Sequence, residues 1–167
     1  MFKSEKNIAL FEKHSIFTKE EIESRCEVMS EGYSKVINIE ALTMIEMVNK
    51  DILPAIISYM NELSKTISTL KTLNLPFDSK EFEPRNFSET IFLKLSKLSS
   101  MLYEKSEELS NMLILSKNFN TEDSLRYLSS DVIQKMNEIR TISDEIEAYI
   151  PRNMMPYPSY SELLFSV

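Results

Sequence analysis

The chain has one glycine, one cysteine, one histidine and no tryptophan in 167 residues. Each scarcity excludes something. Phosphate cradles, tight hairpins and nucleophile elbows need residues that accept positive φ or let a ligand approach the backbone. Gly32 alone builds none of them. Cys26 has no partner for an internal disulfide, which fits a reducing cytoplasm. No apolar run approaches the ~20 residues of a membrane span, and the first residues carry an early acid, Glu5, in place of a signal-peptide core. Basic residues are outnumbered, 19 against 26, for a net charge of −7. That balance disfavours nucleic acid and anionic membranes as partners.

What is present is the material of long helices. A hydrophobic fraction of 43% with 27% charged residues is ordinary for a globular chain. One domain of this size buries roughly 70% of its extended surface and needs no disulfide or metal staple. We read residues 1–167 as one all-α domain, an antiparallel bundle of long helices. Ser4 to His14 predicts a first short helix. Thr18-Lys19-Glu20-Glu21 is a capping box, heading a helix over about 19–70. Gly32 and Pro54 are its weak points, and Pro54, which removes a donor and crowds the carbonyl of Lys50, predicts a kink or a break. Residues 71–87, with Pro76 and Pro84, read as a connector. Asn86-Phe87-Ser88-Glu89 predicts a cap for a helix over 88–117. Asn118-Phe119-Asn120 is a turn, and Thr121 predicts the N-cap of a last helix over 121–150, ended by Pro151. The short turn makes those two helices antiparallel neighbours.

The second helix carries two apolar faces. Ile37, Ala41, Ile45, Val48, Ile52, Ile56, Met60, Leu63 and Ile67 share one, while Ile22, Cys26, Met29, Tyr33 and Val36 lie roughly 120° away. Val36, Ile39 and Met47 continue the upstream face. A helix apolar on two faces is buried on two sides. Two readings stay open: the upstream face packs on something other than the core (the first helix, the tail, or a region absent from this chain), or the helix drifts or resets phase around a curved core. The tail, residues 151–167, holds Pro151, Pro156 and Pro158 with Tyr157, Tyr160, Leu163, Leu164 and Phe165. So apolar a segment is expected to be docked, its end opened by a second capping box at Ser159-Tyr160-Ser161-Glu162. The candidate interface is therefore Val36, Ile39, Met44, Met47, Tyr157, Tyr160, Leu164 and Phe165.

Catalytic constellations are not found. His14 lacks a nearby carboxylate or cysteine pattern and suits the end of the first helix. Cys26, on an apolar stripe, reads as an inert thiol. Glu20-Glu21 and Glu107-Glu108 do not face each other on a helix. Glu20, Glu23 and Glu27 share one side but lack further ligands. Arg140 and Asp144 form an ordinary i, i+4 pair.

Several segments carry a resemblance. Glu5-Lys6-Asn7-Ile8-Ala9-Leu10-Phe11-Glu12-Lys13-His14, then Thr18 to Arg25, Ile37-Asn38-Ile39-Glu40-Ala41-Leu42-Thr43-Met44-Ile45, Asp51-Ile52-Leu53-Pro54-Ala55, and Pro156-Tyr157-Pro158-Ser159-Tyr160 with Leu163-Leu164-Phe165 resemble the region after the catalytic domain of type III glutamine synthetases. Over about 71–125 the likeness is one of helical pattern. The resemblance implies the C-terminal helical domain of a ligase that joins ammonia to glutamate with ATP and a divalent metal. It implies that those ligands sit in the catalytic domain and a neighbouring subunit. It also implies that Met1 falls well inside the family's chain, as for an excised domain or a truncated reading frame. No catalytic, cofactor or metal residue carries over to any position here. The expected partners are the parent's catalytic domain and neighbouring subunits. A stand-alone helical adaptor or sensor binding a peptide or small ligand is the alternative.

Overall fold

In the computed structural model, residues 4–72, 84–158 and 160–165 are described, with side chains for all of these except 84–86, 160, 161 and 165. Every regular element among them is helical. Helix α1 spans Glu5–Lys13 and α2 spans Lys19–Met47; a π turn at Val48–Ile52 joins α2 to α3, Leu53–Thr72. Helix α4 is Pro84–Ser116. Helix α5, Thr121–Tyr127, passes through a second π turn, Leu128–Val132, into α6, Ile133–Glu147. A 3₁₀ turn at Arg152–Met154 and a short α7, Tyr160–Phe165, follow.

Of the expected kink or break near Gly32 and Pro54, the break does not occur. The chain is helical without interruption from Lys19 to Thr72, a rod of about 80 Å at 1.5 Å per residue. It passes Gly32 as α-helix and approaches Pro54 through the π turn. Wider winding just before a proline relieves the clash that ordinary helix would force on the carbonyl of Lys50. The π turns also correct phase. Val48, Ile52 and Ile56 recur every four residues, as do Leu128, Val132 and Met136. Strict α-helix would rotate such a series about 40° per step away from the core. With the wider turns, Val48, Ile52, Ile56, Leu128 and Val132 are all buried.

Three cap assignments differ from the sequence reading. The Thr18 capping box is present in both directions: Thr18 N–H donates to Glu21 Oε2 at 2.8 Å, and Glu21 N–H donates to Thr18 Oγ1 at 3.3 Å. At the last helix, however, Asn120 caps in place of Thr121, its Oδ1 accepting from Asp123 N–H at 2.8 Å. Asn120 and Thr121 are both capping types; Asn120 holds the extended backbone of an N-cap, and asparagine is the stronger cap of the two. Helix α4 starts at Pro84, not at Ser88. Proline tolerates the first helical turn, where its missing donor costs nothing. The last helix ends at Glu147, short of 150. The expected box at Ser159 lies outside the described residues.

The helices pack as a returning bundle. Helix α4 lies against α3 and then α2, and α6 lies against α4, antiparallel across the turn at 117–120. Helix α2 also touches α5 and the second π turn. The core is one cluster running from Ile37 to Ile150 and including Leu95, Leu102, Leu109, Ile139 and Ile146. Removing these stripes from water at ~25 cal/mol per Å² drives the assembly. Ser106 is the exception: it is wholly buried on α4, and its Oγ has no hydrogen-bond partner among the described residues. A buried hydroxyl without a partner costs free energy that its removal returns. Ser106→Ala is therefore expected to leave the thermal midpoint unchanged or raise it, by up to about 1 kcal/mol in stability. A melting curve checks this, and a drop of several degrees would contradict the unpartnered hydroxyl.

Candidate docking interface

The core cluster starts at Ile37, yet α2 starts at Lys19. From Glu23 to Val36 no residue of α2 is buried. The first half of α2 thus extends beyond the bundle for about 25 Å, with α1 folded against its beginning. There Ile22 is buried, and Phe11 and Phe17 meet at 5.9 Å between ring centroids. The guanidinium of Arg25 sits 4.5 Å above the Phe17 ring. His14 is the exposed C-cap of α1, and Cys26 is half-buried on α2. A cleft of about 310 Å³ at the α1–α2 turn is lined by Glu12, Ser15, Ile16, Phe17, Thr18 and Glu21, and the Glu21 carboxylate is already engaged by Thr18.

The two faces of the second helix separate in space. Ile37, Ala41 and Val48 are buried in the core, with Ile45 packed beside them. The upstream face is open over its middle: Met29, Tyr33, Val36 and Ile39 are exposed, Met29 by 71% and Ile39 by 62%, while Ile22 is buried and Cys26 and Met47 are half-buried. Of the candidate interface residues, Val36 and Ile39 lie on this open face, 52% exposed in the case of Val36. Met44 is half-buried against the core and Met47 is half-buried. Scattered exposed apolar residues are normal, but Met29, Tyr33, Val36 and Ile39 along one helix face form a patch of the kind that marks a contact.

The tail returns to the bundle at a different place. Met154, Met155 and Tyr157 pack against the core cluster. The Tyr157 hydroxyl donates to Asp51 Oδ2, in the first π turn. Burial, then the hydrogen bond to Asp51 and its negative charge, push the Tyr157 phenol up to about 12. Beyond this clamp, Arg152 Nη2 pairs with Glu162 at 2.7 Å, and Leu163 and Leu164 are exposed. The side chains of Tyr160 and Phe165 lie outside the described residues.

Charge fixes the helices laterally. Lys135 of α6, mostly buried along its stem, donates to Glu108 of α4 at 2.7 Å and to Glu138 at 2.9 Å. Lys105 completes the square at 3.1 and 3.2 Å from the same carboxylates. Hydrogen bonds from Lys135, then Lys105, hold both Glu108 and Glu138 below the usual carboxylate range, and the same bonds raise Lys135. Lys94 donates to the Tyr149 hydroxyl at 2.7 Å and pairs with Glu145 at 2.9 Å, which raises its ammonium. Arg140 and Asp144 stand 4.0 Å apart, as their spacing predicts. The Lys135–Glu108, Lys105–Glu138 and Lys94–Glu145 bridges join α4 to α6, while Arg140–Asp144 lies within α6. Among the described residues no three His, Cys, Asp or Glu side chains gather as metal ligands, and no helix is long and apolar enough to cross a membrane.

Residues 1–71 match the family model described as the glutamine synthetase C-terminal domain. The chain is 39% identical to a glutamine synthetase of Butyrivibrio fibrisolvens over 98% of its own length and 23% of that protein. It is 33% identical to a type-3 glutamine synthetase of Dictyostelium discoideum over 97% of its length and 22% of that protein. A glutamine synthetase of Bacteroides fragilis (strain YCH46) is 24% identical over 90% of this chain. The chain thus spans less than a quarter of the length of these curated relatives. No solved structure matches it.

Proposed function

We propose that this chain, which corresponds to the C-terminal domain of glutamine synthetase-like proteins, acts as a non-catalytic element that supports the parent's assembly or its regulation. The parent reaction is the ATP-dependent joining of ammonia to glutamate. ATP and divalent metal, as that reaction uses them, are held by the catalytic domain and not by this chain. The observation that carries the reading is the open apolar face of α2, with Val36 and Ile39 more than half exposed on a helix that outruns its own core. A helix face of that composition is stabilised by being covered, and what the domain offers the parent is therefore a rigid contact surface. Its partners are the catalytic body of the same chain and neighbouring subunits.

A domain exchange tests this. Replacing the corresponding part of the Butyrivibrio relative with this chain is expected to preserve its oligomer and its glutamine formation. Introducing Val36→Glu with Ile39→Glu into that hybrid is expected to shift it to smaller species on size exclusion and to lower activity about tenfold or more, since two buried uncompensated carboxylates cost several kcal/mol. The isolated chain is expected to show no turnover. Turnover by the isolated chain, or an unaltered oligomer in the double variant, would overturn the reading.

A further inference from the structure

The chain's only glycine stands where the chain itself has no use for it. Gly32 lies inside α2, where glycine destabilises a helix relative to alanine. Its φ is not positive. A β-carbon added there meets nothing within 4 Å. Neither backbone conformation nor internal packing requires glycine at this position. What a missing side chain does provide is close approach of another backbone or side chain from outside.

The surroundings specify what approaches. At 100° per residue, Arg25, Met29, Gly32, Val36, Ile39 and Glu40 fall within a sector about 100° wide, and Tyr33 borders it. All seven are exposed. Arg25 and Glu40 form no ion pair among the described residues; the Arg25 guanidinium lies over the Phe17 ring. We propose that this face pairs with the same face of a second copy of this chain, antiparallel, about a two-fold axis between Gly32 and Tyr33. The register follows from the sequence. Arg25 of one copy lies opposite Glu40 of the other, Met29 opposite Val36, and the Tyr33 ring lies over the partner's Gly32 backbone. Each contact occurs twice, as a two-fold interface demands. A parallel pairing would instead set Arg25 on Arg25 and Glu40 on Glu40, so charge selects the antiparallel form. The proposal rests on the assembly role above and names the partner for the α2 face.

Sedimentation velocity on the full chain, from micromolar to near-millimolar concentration, tests it. The wild-type chain is expected to dimerise. Arg25→Glu alone and Glu40→Arg alone are each expected to be monomeric, because each homodimer faces like charges twice. An equimolar mixture of the two variants is expected to restore the dimer as a heterodimer, which also shows that both are folded. Gly32→Ala is expected to raise the thermal midpoint of dilute monomer by a couple of degrees while weakening the dimer about tenfold or more. A wild-type chain that stays monomeric, a mixture that associates no better than its components, or a Gly32→Ala variant with undiminished dimerisation would each overturn the pairing. If the chain stays monomeric while Val36→Glu with Ile39→Glu still disrupts the hybrid oligomer, the assembly role stands and self-pairing falls.

Discussion

Leu102→Ala is expected to cost about 3 kcal/mol of stability and to lower the thermal midpoint by roughly 5–10 °C. Leu102 is wholly buried at the middle of α4, the helix that touches α2 and α3 on one side and α6 on the other. Truncation removes the transfer free energy of the side chain and leaves a cavity in the core cluster that α4 shares with α3 and α6, whose buried residues include Leu95, Leu109, Ile56 and Ile139. Such a cavity collapses little, which places the cost in the middle of the range for buried leucines. Leu93→Ala, on the exposed side of the same helix, is expected to change stability by less than about 0.5 kcal/mol. Urea unfolding distinguishes the two through the midpoint, with an unchanged slope. A loss under about 1 kcal/mol at Leu102 would mean that the three helices do not meet as described.

The second large effect is expected at the tail. Tyr157→Ala should cost about 2–3 kcal/mol, because it removes a half-buried aromatic ring from the edge of the core as well as a hydrogen bond to a carboxylate. Tyr157→Phe keeps the ring and should cost about 1–2 kcal/mol, the worth of a hydrogen bond to a charged acceptor. The pH dependence separates the two contributions. A phenol whose folded pKa lies at about 12, above its ordinary value near 10, binds its proton more tightly when folded. Its contribution is complete below pH 10 and is lost as pH rises toward 12. Wild-type stability should therefore fall across that window more steeply than that of Tyr157→Phe, with both followed by circular dichroism. Parallel curves would show that Tyr157 does not hold Asp51.

Local signals in the sequence were strong where one residue decides the outcome and weak where two compete. Thr18 with Glu21 names its own helix start, since both halves of the box are within three residues. The all-helical class follows from long apolar stripes with a single glycine. Asn120 and Thr121 are both capping types, and Pro84 serves a connector as well as a first turn. The π turns leave no mark, because Val48, Ile52 and Ile56 satisfy a helical stripe however the turn is wound. Long-range pairing is invisible to periodicity. Tyr157 and Asp51 lie 106 positions apart, so the tail was legible as docked but its anchor was not. The divergence of two apolar faces on α2 was legible. Which face the bundle takes depends on where α5 ends up, and that is settled only in three dimensions.

The uninterrupted rod from Lys19 to Thr72 also has a mechanical reading. Gly32 sits near one extremity and Thr72 at the other, about 60 Å away at 1.5 Å per residue. A tilt of about 5° at the glycine would sweep the distant extremity through about 5 Å by that geometry. A reorientation at the protruding end would thereby be magnified along the helix into a displacement the size of a side chain. Leverage of this kind belongs to a single unbroken helix, and two hinged halves would dissipate it.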